Sequence, residues 1–397
     1  MKTTSQSRNY TQIFKQPELP FYLIIWSVIA LSGIGLTMVL SASAVESLQD
    51  NGSTYSIFIK QFFFLILACG SAYWAYRVKG AIWPIAARYS LLLSIIFLAL
   101  PFVPNLGKNI NGNRNWIELA GFTLQPSEFA KFALILWCAL HLRISENKSS
   151  DGFIKNPFLV ILPGAVVVVG LVLWQRDLGT AILIVAILGG IAFISGAPLK
   201  HFAYLAMGFG AVAGALIIAN PYRLNRLGAF IDPFDEQYYK FAGWQPAHSI
   251  MGLASGGLFG SGLGASKQKW ANLAEAHTDF IFAVIGEELG LLGTLIVLFL
   301  FAALIFAILR VALKTKDSFS RYATAGIACW FIIQVIVNIG SVTSTVPVIG
   351  VTLPFISYGG SSLMANFIAV GFVLGVARRT PEIADGIKAN RMRKLRG

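Results

Sequence analysis

The stretch "DFIFAVIGEELGLLGTLIVLFLFAALIFAIL", residues 279–309, is almost entirely apolar yet carries three carboxylates, Asp279, Glu287 and Glu288. A helix needs about 20 predominantly apolar residues to cross the hydrocarbon core of a bilayer, and this stretch exceeds that length. Ionisable groups inside a membrane are costly, so each needs a partner or a task. The stretch therefore predicts a membrane-spanning helix whose acidic residues have structural or functional roles.

The composition of the whole chain agrees with a membrane protein. The chain is 56% hydrophobic and 12% charged, whereas soluble domains are about 45–50% apolar and about 25% charged. The apolar runs do not alternate as membrane β-strands do, so an all-α fold is expected. The 3 cysteines lie inside apolar runs, which argues against a disulfide framework, and the 4 histidines have no zinc-type spacing.

Ten apolar runs are each close to the length of a membrane-spanning helix. They follow a polar N-terminal segment, residues 1–21, and precede a basic tail, residues 378–397. We therefore predict an all-α polytopic membrane domain with ten transmembrane helices over residues 22–377. The predicted spans are 22–43, 57–76, 81–103, 124–142, 157–174, 178–196, 200–220, 279–309, 322–343 and 357–377.

Lys and Arg are distributed unevenly between the two sets of connections. If the N-terminus is inside, 20 of the 31 basic residues lie in inner segments and 8 lie in outer connections. Cytoplasmic connections are enriched in Lys and Arg, so both termini are predicted to be cytoplasmic. A large extracytoplasmic loop, residues 221–278, then joins the seventh and eighth helices.

The net charge of +13 follows this topology, so the placement of the charge indicates a membrane and not a nucleic acid as partner. The tail ends in "RMRKLRG". This segment is either an anchor for anionic lipids or a solvated, disordered end.

The fourth predicted span contains an acidic and a basic residue. Glu128 and Lys131 are spaced i, i+3, so they share a helix face and can pair. Pro126, two residues before Glu128, is tolerated in the first turn of a helix. The pair either neutralises itself and fixes helix packing, or lines a polar cavity.

Asp279 is predicted at the outer mouth of the eighth span, where it is either a helix N-cap after Thr278 or a functional carboxylate. Glu287 and Glu288 lie about 12–13 Å deeper, at about 1.5 Å per helical residue. They cannot both face lipid, so we expect them to pair with basic or hydroxyl groups from another helix. That expectation gives them structural roles.

Two outer connections contain further candidates. In the connection 104–123, Trp116 is either part of the aromatic belt at the membrane interface or a functional residue. The loop 221–278 mixes glycine-rich and apolar pieces with basic residues, which suggests short elements lying at the outer interface. Its candidate binding residues are Arg223, Arg226, Lys267 and Lys269.

Six stretches, taken together and in this order, resemble the SEDS family, the shape, elongation, division and sporulation proteins of bacteria. The similarity covers roughly residues 20–380 and favours the division members of the family. The stretches are "RNWIELAGFTLQPSEFAK" (114–131), "DLGTA" (177–181), "RLGAFIDPF" (226–234), "ASGGLFGSGLGASKQK" (254–269), "EAHTDFIFAVIGEELG" (275–290) and "LPFISYGGSS" (353–362).

The resemblance implies a ten-helix fold and a peptidoglycan glycosyltransferase of the bacterial cytoplasmic membrane at the division septum. This enzyme would polymerise lipid II at the outer membrane face and release undecaprenyl pyrophosphate. The implied partners are lipid II, a class B penicillin-binding protein (a transpeptidase) and other divisome proteins. Residue by residue, Asp279 matches the essential carboxylate, Trp116 the important outer-loop tryptophan, and Glu128 with Lys131 the buried pair.

The implied reaction needs a base near a sugar hydroxyl and positive charge near the departing pyrophosphate. Asp279 is the expected catalytic residue, either as the base or as the ligand of a divalent cation, Mg or Mn. No organic cofactor is expected. Basic side chains of the outer loop are the expected substrate-binding groups, together with Trp116. Two alternatives stay open: a lipid II flippase, and a non-catalytic scaffold that activates a division transpeptidase.

Overall fold

The computed structural model describes residues 16–110, 113–119, 121–147, 156–270 and 273–396, and helices dominate them. In chain order the helices are α1 (Leu19–Asn51), α2 (Ser56–Arg77), α3 (Ile82–Ala99), α4 (Pro126–Asn147), α5 (Pro157–Trp174), α6 (Leu178–Ile194), α7 (Leu199–Ile218), α8 (Pro221–Ile231), α9 (Glu236–Tyr239), α10 (Trp244–Ser255), α11 (Ile281–Lys314), α12 (Ser318–Val342), α13 (Gly360–Arg379) and α14 (Pro381–Arg396).

Each of the ten predicted spans coincides with one of these helices, α1–α7 and α11–α13. In the described part of the chain, 8 helices are long and apolar enough to cross a membrane. Of the other two, α6 is apolar but has 17 residues, and α4 carries the charged pair Glu128 and Lys131. The polytopic helical class of the prediction is confirmed.

The centre of the bundle is formed by α12 and α13, which bury most of their length, while α7 lies at the periphery and has no buried residue. Small residues let the central helices approach closely. A Cβ added to Gly371 on α13 would lie 2.2 Å from the main-chain oxygen of Ala72 on α2. These two helices therefore pack backbone to backbone.

The all-α prediction is wrong for the connection 104–123, which folds into a three-stranded antiparallel sheet in the order β1 (Gly107–Ile110), β2 (Asn113–Leu119) and β3 (Phe122–Leu124). Asn115 and Ile117 are buried, whereas Trp116 between them is only half-buried. This period-2 pattern is that of a strand with one covered face. The all-α prediction rested on the apolar runs, which do not alternate as membrane strands do. Strand β2 lies outside those runs, in a connection, so that argument did not apply to it.

Helix α11 is interrupted at Gly290, whose φ of 66° and ψ of −165° are not helical. The interruption is crossed by residues 256–262, called here the crossing segment. Its main chain completes the hydrogen bonds that the broken helix leaves open, through Ser261 N–H to Glu287 O (2.9 Å), Gly262 N–H to Glu288 O (3.0 Å), Leu291 N–H to Gly257 O (2.9 Å) and Leu292 N–H to Leu258 O (3.2 Å).

Only glycine fits at position 290, where the crossing segment passes α11. Side chains rarely adopt its positive φ, and a Cβ there would lie 2.3 Å from the main-chain nitrogen of Gly260.

The basic tail begins with a helix. Residues 381–396 form α14, and Ile383 is fully buried. The alternative of a disordered tail is therefore wrong for this part of the chain.

Candidate active site

Asp279 lies just before α11, in the connection that closes the 221–278 loop. The helix begins at Ile281, and its cap residue is Phe280, which makes no side-chain capping bond. The capping alternative for Asp279 is therefore wrong. A Cβ added to Gly350 would lie 3.4 Å from Asp279 Oδ2, so the carboxylate faces the segment that follows α12.

The main chain around Asp279 is held by three donors from other elements. The side-chain amide of Asn338 on α12 donates to Asp279 O at 2.8 Å. Ser357 Oγ donates to Thr278 O at 2.6 Å, and the N–H of Tyr358 donates to His277 O at 2.9 Å. The carboxylate is thus carried on a backbone whose position is fixed from two sides.

Surrounding protein raises the pKa of Asp279 to about 7, chiefly because burial disfavours the carboxylate. The negative charges of Glu275 and, more weakly, Glu128 also raise it, while His277 and Arg226 lower it. The residue as a whole keeps part of its surface exposed. A carboxyl group that titrates near neutrality suits a general base.

Arg226 on α8 is the basic outer-loop candidate whose charge acts on Asp279. Its Nη1 donates to Val348 O at 3.4 Å. The side chain lines a small recess together with Phe230, Pro246 and the segment that contains Val346. The guanidinium is therefore placed beside the same segment that passes Asp279.

Arg223 on α8 connects its helix to α7 and to the turn between α5 and α6. Its guanidinium donates to Leu216 O near the end of α7 and to Arg176 O between α5 and α6, at 3.1 Å in each case.

The two lysines of the loop differ in their surroundings. Lys267 is exposed. Lys269 has a largely buried side chain, and its ammonium contacts Glu288 Oε1 at 3.3 Å and Gly264 O at 2.6 Å. Of the four basic candidates, Arg226 and not Lys269 is the one near Asp279.

Trp116 is positioned by the residue before it. The amide of Asn115 donates to Asp177 Oδ2 at 2.6 Å, and Asp177 caps α6 by accepting from Thr180 N–H at 2.9 Å. Strand β2 is thereby fastened to the start of α6, and Trp116 alternates to the other face, opposite Lys108 on β1. The capping role of Asp177 was not among the predictions, although an Asp before "LGTA" is a cap signal.

Glu128 and Lys131 form the buried ion pair that their spacing predicts, with Lys131 Nζ 2.9 Å from Glu128 Oε1. The same ammonium donates to Gln334 Oε1 at 3.1 Å and lies 5.0 Å from the centre of the Trp330 ring. Within the described residues, Glu128 Oε2 is buried without a hydrogen-bond partner. Gln334 in turn donates to Thr352 O at 2.9 Å, so the pair is linked to the segment beside Asp279.

Glu287 and Glu288 are both buried and both contact the residues that follow the crossing segment. Glu287 accepts from Ser266 Oγ and from the N–H groups of Lys267 and Gln268. Glu288 accepts from Lys269 Nζ and from Ser41 Oγ on α1. Hydroxyl and basic groups are among their partners, as predicted, but only Ser41 belongs to another helix, and the other partners lie in the loop before α11.

A divalent cation at Asp279 would find few protein ligands. Among the described residues, no group of three or more His, Cys, Asp or Glu side chains could hold a metal ion. Mg²⁺ commonly binds through one or two carboxylates while substrate phosphates and water complete its shell. The single carboxylate of Asp279 therefore fits a cation that arrives with a phosphorylated substrate.

Fold and site together define a polytopic helical membrane protein with a carboxylic acid of raised pKa and an arginine at the helix ends. The chain belongs to the family of cell cycle proteins that comprises FtsW, RodA and SpoVE, because the model of that family matches residues 22–382.

Curated relatives and solved structures agree with this family. The chain is 40% identical to "Probable peptidoglycan glycosyltransferase FtsW" of Coxiella burnetii, over 90% of this chain and 96% of the relative. It is also similar to a chain of the structure "Structural coordination of polymerization and crosslinking by a peptidoglycan synthase complex", with 27% identity, a TM-score of 0.71, and coverage of 90% and 97%. The rod shape determining protein RodA of Thermus thermophilus gives 28% identity, a TM-score of 0.66, and coverage of 90% and 96%.

Proposed function

We propose that this protein is a peptidoglycan glycosyltransferase that polymerises lipid II at the outer face of the bacterial cytoplasmic membrane during cell division. The observation that carries the proposal is the Asp279 carboxylate, held beside Arg226 in a member of this family. In this proposal all ten long helices cross the membrane, both termini are cytoplasmic, and the site faces outward at the septum.

The proposed reaction joins the 4-hydroxyl oxygen of one lipid-linked disaccharide to the anomeric carbon of another lipid-linked chain. The bond between that carbon and the pyrophosphate oxygen breaks, and undecaprenyl pyrophosphate leaves with the electron pair. Asp279 accepts the proton of the hydroxyl group. Pyrophosphate is already a good leaving group, so a second carboxyl group acting as an acid is not required, in contrast to glycoside hydrolases.

Positive charge near the leaving group stabilises the transition state, because negative charge develops there. Arg226 is proposed for this task, and the support is that its charge acts on Asp279. Arg223, Lys267 and Lys269 are proposed to bind substrate at the rim or after rearrangement. Trp116 is proposed to pack on a sugar face or on the polyprenyl chain.

A divalent cation, Mg or Mn, bound by Asp279 and by the pyrophosphate would neutralise the leaving group. In that case Asp279 is a ligand, and the proton passes to solvent. The partners proposed for this chain are lipid II, a class B penicillin-binding protein and other divisome proteins. The similarity to a chain of a peptidoglycan synthase complex that coordinates polymerization and crosslinking supports a transpeptidase partner.

The test is incubation of the purified protein with lipid II, with and without Mg or Mn and a class B transpeptidase, and separation of the glycan products on a gel. Asp279→Asn removes the charge that both a base and a metal ligand require while preserving size. The proposal expects polymer from the unmodified chain and none from a folded Asp279→Asn variant. Wild-type polymerisation by that variant would overturn it.

A lipid II flippase is the second candidate, and the observation in its favour is the set of charged residues buried in the bundle, such as Glu128 and Lys131. These charges are paired, whereas Asp279 lies near the helix ends, which favours the polymerase. Transport of lipid II across vesicles without polymer formation would support the flippase. Activation of the partner's transpeptidase activity by both the unmodified chain and Asp279→Asn, without polymer from either, would support the scaffold.

A further inference from the structure

Glu287 and Glu288 occupy neighbouring positions near the outer end of α11 and bind one short piece of chain, residues 264–269. Glu287 Oε1 accepts the N–H of Lys267 at 2.8 Å, and its Oε2 accepts the hydroxyl of Ser266 and, at 3.4 Å, the N–H of Gln268. Only 2% of Glu287 is exposed. A buried carboxylate that accepts several donors is strongly held in place.

Glu288 completes the attachment on the other side. Its Oε1 lies 3.3 Å from Lys269 Nζ and 2.6 Å from Ser41 Oγ on α1. Lys269 also donates to Ser41 Oγ at 3.2 Å. The negative charge of Glu288 is thereby balanced, and α1, α11 and the 264–269 piece are joined at one point.

These contacts close a loop of the chain that contains the reactive carboxylate. The chain leaves the contact at Gln268, passes through Asp279, enters α11 at Ile281 and returns to the contact at Glu287. Asp279 lies two residues before α11, and the helical residues Ile281–Glu287 span about two turns. This short helical piece connects Glu287 to the residues that carry the Asp279 carboxylate.

Because α11 is interrupted at Gly290, contacts with neighbouring segments determine the orientation of its outer piece. A continuous helix would fix its outer end through its inner half, but α11 loses helical geometry at Gly290. The orientation of the outer piece, Ile281–Leu289, therefore depends on what holds it laterally. Its contacts include the main-chain hydrogen bonds of the crossing segment, the carboxylates of Glu287 and Glu288, and the donors that hold residues 277–279.

We infer that Glu287 is a positioning residue for Asp279: by fastening Ser266, Lys267 and Gln268 to the outer piece of α11, it sets where the Asp279 carboxylate stands relative to substrate. The inference rests on the proposed function of Asp279. Glu287 itself lies too deep in the protein to touch substrate. Its effect reaches the reaction through the closed loop, and errors of about 1 Å in such a position can cost about 100-fold in rate.

The test compares Glu287→Ala and Glu287→Gln with the unmodified full chain in complex with its transpeptidase. Glu146→Gln is the control. Glu146 also accepts a hydrogen bond, from Arg321, but it lies at the opposite end of the bundle from Asp279. Three quantities are measured: kcat and KM for lipid II polymerisation, lipid II binding in an Asp279→Asn background, and hydrogen exchange of the amides of residues 273–280 and 291–314.

We expect kcat to fall by about 10- to 100-fold in Glu287→Ala, with KM and lipid II binding changed by less than about 2-fold. The kcat of Glu287→Gln should fall less, because the amide oxygen of the new side chain still accepts a hydrogen bond from one of the N–H groups. Exchange should accelerate in residues 273–280 and stay unchanged in 291–314. The control should match the unmodified chain.

Equal exchange in residues 273–280 of all variants would overturn the inference whatever the activity. So would a loss of lipid II binding in proportion to kcat, which would make Glu287 a general structural residue. Absence of polymer from the unmodified chain would instead overturn the proposed function, while the exchange measurement would still decide whether Glu287 holds the Asp279 segment.

Discussion

The side-chain amide of Asn338 donates to Asp279 O at 2.8 Å and to Val351 O at 2.6 Å. One group on α12 thus joins the residue before α11 to the extended segment that passes it. Gly350, next to Val351, faces the Asp279 carboxylate. The buried side chain of Asn338 therefore helps to set the distance between the carboxylate and this segment.

Replacement of Asn338 should weaken both the fold and the reaction. Asn338→Ala leaves the buried carbonyl of Val351 and the part-buried carbonyl of Asp279 without this donor, and an unsatisfied buried group costs about 1–3 kcal/mol. We expect a lower midpoint of thermal unfolding and a lower polymerisation rate, with expression in the membrane retained. Thr343→Ala is the control, because Thr343 follows α12 directly and its hydroxyl donates to Ile339 O in the last turn of that helix. A folded Asn338→Ala protein with unchanged rate would show that this tie does not matter for the reaction.

The rate of polymerisation should depend on pH near neutrality. Burial raises the pKa of Asp279 to about 7, so the carboxylate form, which the base or ligand role requires, is lost as the pH falls through about 7. We expect kcat/KM to rise between about pH 6 and pH 8 and then level. Glu275→Gln removes a negative charge that raises this pKa, so its profile should shift to lower pH. A profile flat over this range, or an unshifted Glu275→Gln profile, would contradict the assignment.

The buried pair on α4 should behave as a unit. Removal of one partner leaves an uncompensated buried charge, which costs about 3–5 kcal/mol. Glu128→Ala and Lys131→Ala should each reduce the amount of folded protein more than the double change Glu128→Leu/Lys131→Leu. Fluorescence-detected size-exclusion chromatography of detergent extracts measures this amount. Normal accumulation of both single variants, with no advantage for the double variant, would argue against mutual dependence.

Trp116 should matter through its aromatic ring. Its place on β2 is fixed by Asn115 and Asp177, so the ring is presented on a rigid strand. Trp116→Ala should lower lipid II polymerisation several-fold, while Trp116→Phe should retain much of it, because aromatic side chains supply large rigid contact surfaces. Equal rates in the three proteins would place Trp116 in the interfacial belt.

The sequence allowed the helices and the local pairs to be predicted. Apolar run length alone located ten helices, because a span needs a fixed length of apolar chain. The spacing of Glu128 and Lys131 predicted their pairing, since neighbours on one helix face meet whatever the rest of the fold does. The general polarity of the partners of Glu287 and Glu288 was predictable for a similar reason, because a buried charge demands them.

Features that depend on distant parts of the chain were not predictable. Ser41 and Glu288 are 247 residues apart, and no local pattern brings them together. Lys269 was expected to bind substrate from its place in a basic outer loop, but its ammonium is held by Glu288. The break at Gly290 also lacks a local signal, because a single glycine in an apolar run is common in membrane helices.

The crossed break in α11 has a consequence for how the protein is made. In hydrocarbon, the open carbonyl groups of Glu287 and Glu288 and the open N–H groups of Leu291 and Leu292 would each cost several kcal/mol without partners. The crossing segment that supplies those partners is synthesised before the helix. The region of α11 around its break therefore reaches its full hydrogen bonding only together with residues 256–262, which come earlier in the chain.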